Sequence, residues 1–359
     1  MMKCFMTLAV VSMVAAAGSA ARADVEMEWV TVGDPGNVGE VSGAGAGGTG
    51  PTRICGAVDY VYRIGKYEVT NGQYIEFLNA VAAIEDTYEL FEAEDPYGHG
   101  GMDGQYGGVQ QIGSPGDYTY VIKDGDTEWV DKPIHFIGFY DALRFANWMH
   151  NGQPTGLQDE TTTEDGAYDM SLGSNVVRKA GARVFLPNED EWYKAAYYKG
   201  GGTTAGYWNY CLDSDWPPVA EPPPGRPAPP GSANYYGTGD YAVGPPYYAT
   251  DGGAYLLSPG PYGTFDQCGN VHEWVETWEE GLGPFLRGSG WPSFDPGHAA
   301  NHFGYPPEGQ VYLHTGFRVA AMLEPGPIPA VSHWGLVVMI LLVLTGGTAV
   351  LRIRQSVQA

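Results

Sequence analysis

Phe265-Asp-Gln-Cys-Gly-Asn-Val-His-Glu-Trp274 sets two carboxylates, Asp266 and Glu273, at the ends of an eight-residue span in which Gly269 and Asn270 force a turn. A turn bares backbone carbonyls, and carbonyls with carboxylates are the oxygen ligands that a hard cation such as Ca²⁺ prefers. The plainer reading is a Gly-Asn turn between two strands whose acids face water.

The two ends of the 359-residue chain read as something other than a folded domain. Lys3, the apolar run Phe5 to Ala17 and the small-x-small triplet Ala21-Arg22-Ala23 have the layout of a secretory signal over 1–23. A proline-broken linker occupies 324–333, an uncharged apolar run 334–351 and a tail with Arg352 and Arg354 completes 352–359. That run is at the lower limit for crossing a bilayer, and the basic stop places the C-terminus inside and the main domain outside. The expected location is therefore the cell envelope or beyond, with a membrane partner through the C-terminal helix. Without the signal, 16 basic residues face 42 acidic ones, a formal charge of −26. Such a surface repels nucleic acid and collects cations.

Gly 53 and Pro 27 make roughly a fifth of the chain, which implies many turns and short elements, while Tyr 25 and Trp 10 imply an aromatic core. Three cysteines remain beyond the signal, Cys55, Cys211 and Cys268, so one bridge at most forms within the chain. Export permits it, and spacing does not choose the partners.

Strands are expected over Glu26 to Val32 and Val58 to Val69, with a mobile Gly-rich loop, Gly33 to Gly50, between them. Thr70 with Gln73 predicts a capping box opening a helix whose inner face is Tyr74, Phe77, Leu78 and Val81. A second helix is expected over Phe139 to His150 behind Gly138, and a third after Asn188, with Glu191 reaching back to the cap. Pro217 to Pro230 reads as an extended surface excursion. One domain is expected over 24–323.

Four ordered motifs, "GKYEVTNGQYIEFLNA" (65–80), "YDALRFANWMHNG" (140–152), "RVFLPNEDEWYKAA" (183–196) and "GTFDQCGNVHEWVE" (263–276), are followed by "LRGSGW" (286–291) and "GFRVA" (316–320). The set resembles the formylglycine-generating enzyme, or sulfatase-modifying factor, family. The resemblance implies an α+β, irregular C-type-lectin-like fold, with few helices around twisted antiparallel strands. It also implies two Ca²⁺ sites. One uses the side chains of Asp266 and Glu273 with the carbonyls of Gly269 and Val271. The other uses Asn234 and Asp240 with the carbonyls of Tyr235 and Ala242. The C-terminal tail in turn resembles sorting signals that begin Ile-Pro-Thr-Leu, with Ala330 and Val331 as departures, and implies sortase-type processing machinery as a partner.

The family's oxidation chemistry needs two cysteines five residues apart holding copper(I). Here Ser293 and His298 stand in their place, and no cysteine follows Cys268. A hydroxyl does not replace a soft thiolate, so copper is not expected. An imidazole site built on His298 and His302, suited to iron, is the competing enzymatic reading. Set against it is a non-oxidising surface module that binds a glycan or another exported protein. Trp274, Trp278, Trp291, Phe294 and Tyr305 are candidates for a ligand groove, with Trp274 and Trp291 reading better as core.

Overall fold

Thr70 accepts from the Gln73 amide while the Gln73 side chain accepts from the Thr70 amide, so the expected capping box starts helix α1 at Asn71–Val81. Its buried Phe77 meets Phe145 and Trp148 of α2, Phe139–His150, with ring centroids 5.3 and 5.2 Å apart. Aromatic pairs of this kind add about 1 kcal/mol each beyond simple burial. Helix α3, Glu189–Tyr197, opens on Asn188, whose amide donates to Glu191 as the sequence predicts. The computed structural model describes residues 25–95, 97–237, 239–304 and 312–323. The expected signal, sorting motif, apolar span and basic tail lie outside the described residues. Among the described residues, no helix is long and apolar enough to cross a membrane.

The strands, in chain order, begin with β1 (Trp29–Val32), β2 (Glu40–Ser42), β3 (Arg53–Cys55) and β4 (Tyr62–Gly65). Then come β5 (Val109–Ser114), β6 (Asp117–Ile122), β7 (Val184–Phe185), β8 (Val219–Ala220) and β9 (Ser232–Ala233). The last are β10 (His272–Glu279), β11 (Gly283–Gly288), β12 (Phe303–Gly304), β13 (Thr315–Gly316) and β14 (Ala320–Met322). One four-stranded sheet runs β1-β4-β14-β7 and the other β12-β11-β10-β13. All pairs in the first sheet are antiparallel; in the second, β10 and β13 are parallel. This is the expected α+β arrangement of few helices and short strands.

The Gly33–Gly50 stretch departs from the expected mobile loop. Residues 40–42 pair with β3, and Gly43, at φ +80°, lies so close to Pro51 that a Cβ would sit 2.0 Å from its carbonyl oxygen. The glycines permit close backbone approach there. Part of the Pro-rich excursion is likewise ordered, β8 pairing in parallel with β9. Cys211 and Cys268 are disulfide-bonded and Cys55 is free and buried, which resolves the pairing that spacing left open.

One buried cation organises the far side of β11. Arg287 donates to Glu189 Oε1 at 2.6 and 2.9 Å and to the carbonyls of Ala299 and Asn301. The chain just after segment 291–298, which corresponds to the family's cysteine-bearing stretch, is thereby tied to α3 and β11.

Candidate functional site

The decisive turn closes over a buried charge knot. Asp266 and Asn270 both adopt φ +66°, and a Cβ on Gly269 would lie 2.5 Å from the Asn234 carbonyl oxygen, so the turn abuts the loop after β9. Glu273 is fully buried, with Arg318 Nε and Nη2 donating to its two oxygens at 2.6 and 2.7 Å and Trp192 Nε1 donating at 2.8 Å. Arg318 also donates to the carbonyls of Gly65 and Phe265 at 3.0 and 2.8 Å. Behind them Glu68, also buried, accepts from the Asn270 side chain and the Val271 amide at 3.1 and 3.2 Å. Asp266 accepts from the Gly253 amide at 2.6 Å.

Three buried carboxylates thus share one guanidinium. Burial, reinforced by the charges of Asp266 and Glu273, pushes the Glu68 carboxyl well above the usual range. Burial likewise pushes Asp266 up to about 6. Excess negative charge in a dry site is relieved by protons or by a cation. Among the described residues no three His, Cys, Asp or Glu side chains form a metal-ligand set. A hard cation would therefore lean on carbonyls, as the set Asp266, Glu273, Gly269 and Val271 supposes. Glu273 Oε1 accepts only one bond, leaving a lone pair for it.

The second expected set is not brought together. Asn234 lies buried at the base of a hairpin, its Oδ1 without a hydrogen-bond partner, while Asp240 is exposed at the tip. The bridge Tyr236–Tyr241 separates them, and the Tyr235 carbonyl already accepts from the Ala242 amide. The orphaned Asn234 oxygen fits a donor or cation; the partners named with it do not converge on it.

The positions expected to replace the family's thiols also part company. Ser293 Oγ meets His272 Nε2 at 2.9 Å. His298 stands edge-on to Tyr210, and its Nδ1 accepts from the Ala300 amide. His302 is buried, with Nδ1 2.6 Å from Glu189 and Nε2 2.7 Å from the Pro51 carbonyl. Both of its nitrogens are committed, so the imidazole centre expected of His298 and His302 is not formed.

What the fold does assemble is an aromatic face around Trp291. Tyr106 stacks on it at 5.5 Å, Tyr248 lies at 4.7 Å and Tyr241 at 5.6 Å. Tyr236 extends the row from Tyr241 to Phe294, each step 4.8 Å, and Phe294 is 79% exposed. His272 and His314 flank Gly290 beside Trp291, their rings 5.2 Å apart. Burial lowers His314 to about 4, with His135 and His99 adding to the effect, and holds His272 well below its ordinary value. Both imidazoles are neutral at pH 7. Trp291, expected as core, is 3% exposed, and the other rings of the row pack against it. Trp274 is core, donating to the Ile137 carbonyl. Tyr305 lies outside the described residues. Tyr106, Tyr241 and Tyr248 carry no sequence signal, since they reach Trp291 from connections remote from it in the chain.

The model of the sulfatase-modifying factor enzyme 1-like domain matches residues 57–323. Among solved structures, CarF is 18% identical over 83% of this chain and 99% of its own, with TM-score 0.45. Treponema denticola variable protein 1 is 17% identical over 85% and 98%, with TM-score 0.49. PvdO from Pseudomonas aeruginosa is 19% identical over 83% and 92%, with TM-score 0.40. No curated protein sequence matches the chain.

Proposed function

Because the chain belongs to the sulfatase-modifying factor enzyme 1-like domain family, we propose that it is a non-oxidising member, an exported binding module that takes its ligand on the aromatic face around Trp291. The thiol inventory carries this reading. Of the cysteines among the described residues, two are bonded to each other, and the third, Cys55, is buried with its thiol pushed up to about 12 by that burial. No thiolate pair is left to hold copper(I). Where the resemblance places that pair, Ser293 engages His272 and His298 turns to Tyr210.

Calcium in this reading is a strut. Asp266, Glu273 and the carbonyls of Gly269 and Val271 would hold it, and its charge would offset the surplus carboxylates beside Arg318. A disulfide and a surplus of acids suit an exported domain, retained at the membrane or released when the tail is cut. The test is to incubate the purified protein with copper, oxygen and a cysteine-bearing peptide, and to look for the aldehyde by mass spectrometry. Unmodified thiol is the expected outcome; turnover to aldehyde refutes the reading.

A further inference from the structure

The chain leaves the folded domain between two arginines. Strand β14, the last of the domain, lies between β4 and β7. Arg63 of β4 has its Nη2 3.5 Å from the Met322 carbonyl oxygen, and the Met322 amide donates at 3.1 Å to the carbonyl of Arg183, the residue before β7. Tyr62 and Ile64 are buried, so Arg63 stands on the outer face of the sheet with Thr31, its partner in the β1–β4 register. Its guanidinium lies 5.4 Å from the Trp29 ring. Arg183 donates to the His150 carbonyl at the end of α2. Met322 and Leu323, at the exit, are 39% and 42% exposed.

Charge sets this end of the domain apart. Among the described residues, the Arg and Lys side chains without a carboxylate partner are Arg63, Lys123, Arg183, Lys194 and Lys199, and Lys194 is buried. Two of the four that water can reach therefore flank the exit, in a chain with 42 acidic residues against 18 basic ones. Glu28 on the β1 side and Asp165 on the α2 side are occupied by Lys66 and Lys179. The sequence beyond Leu323 supplies the occupant. Residues 324–333 separate the domain from the uncharged run 334–351 and carry one acid, Glu324, and no Lys or Arg. Ten residues reach at most about 36 Å. With the run in a bilayer, the exit stays within one linker length of the headgroups, and docking becomes an intramolecular encounter. Anionic headgroups repel the acidic remainder of the surface; two unpaired guanidiniums complement them.

We infer that the exit end of the β1-β4-β14-β7 sheet docks on an anionic lipid surface, Arg63 and Arg183 donating to lipid phosphates and Trp29 and Leu323 meeting the headgroup layer. Guanidinium suits phosphate because its fork of N–H donors matches the phosphate oxygens, and indole suits the boundary between water and hydrocarbon. This rests on the reading that the tail retains the domain at the membrane, and is independent of whether the domain oxidises a thiol.

The full chain, with a donor dye on Thr31→Cys, is placed in nanodiscs of phosphatidylcholine alone or mixed with phosphatidylglycerol, with an acceptor dye on the headgroups. Energy transfer should be higher in the anionic discs and return to the neutral-disc level at high salt. Arg63→Gln and Arg183→Gln should each lower the docked-to-free ratio about fivefold, and together about 25-fold, without moving the melting temperature. Lys199→Gln, at an accessible cation on the connection after α3, should leave the ratio unchanged. Equal transfer in the two discs, indifference to both arginine substitutions, or an equal loss with Lys199→Gln overturns the inference while the anchor stands. Release by inorganic phosphate at constant ionic strength marks a site for the free ion and also overturns it. If the chain enters neither disc, the membrane-retained reading falls, and the docking falls with it.

Discussion

Replacing Arg318 by Met tests the charge knot that shapes the turn at 266–273. Arg318 and Glu273 are both wholly buried and joined by two short hydrogen bonds. Removing the guanidinium leaves Glu273 in the interior with only the Trp192 indole as donor, and leaves Glu68 and Asp266 without a counter-charge. Breaking a buried pair from one side costs about 3–5 kcal/mol. A domain of ordinary stability has about 5–15 kcal/mol in all. At about 2–4 °C per kcal/mol for a chain of this size, the melting temperature should fall by about 6–20 °C. Differential scanning calorimetry and urea titration read this directly, with exposed Phe294→Ala as a surface control. Arg318→Lys keeps the charge without the fork and should fall between. If calcium shares the knot, the Met variant should also be more sensitive to chelator than the parent, since calcium is then the only counter-charge left. A loss under about 1 kcal/mol, the scale of a solvent-exposed pair, would refute the reasoning.

Chelation of the parent protein should itself lower the melting temperature, the equivalent of about 2.7 kcal/mol when free calcium had been a hundredfold above its dissociation constant; a melt that ignores chelator tells against the ion. Reducing the Cys211–Cys268 bridge, which spans 57 residues, releases chain entropy worth about 4 kcal/mol, read as a lower urea midpoint in dithiothreitol. His314 titrates near 4 in the fold against 6.5 ordinarily, so its neutral ring contributes stability that is full above about pH 6.5 and lost as pH falls toward 4. Asp266, pushed up to about 6, acts in the opposite sense, so the comparison is made by difference. His314→Gln should flatten the acid limb by up to about 1.4 kcal/mol per pH unit, and equal slopes in the two proteins would contradict the buried neutral ring.

The helices were legible because their signals are local. Thr70 with Gln73 and Asn188 with Glu191 are capping pairs three residues apart, Gly138 caps the second helix, and each helix begins just after its cap. The Gly33–Gly50 stretch was not, because composition reports freedom and not the use made of it. Gly43 against Pro51 and Gly48 against Ala300 are close approaches that only glycine permits, and the second depends on a partner distant in sequence. The turn at Asp266–Glu273 announced itself, but its counter-charge did not. Arg318 reaches Glu273 across 45 residues, and the motif shows a carboxylate without showing the guanidinium opposite it. For the same reason His302 resembled a ligand in the sequence, while in the fold Glu189 and the Pro51 carbonyl claim its ring. The aromatic face lay furthest from view: three separate connections supply it, and no periodicity links Tyr106, Tyr241, Tyr248 and Trp291.

Elemental analysis of the purified protein, prepared without chelator, reaches the central claim most directly. The account predicts calcium at about one ion per chain, with copper and iron no higher than trace. Copper or iron bound in proportion to protein would contradict it, because among the described residues no thiolate pair and no free imidazole set stands ready to hold either metal.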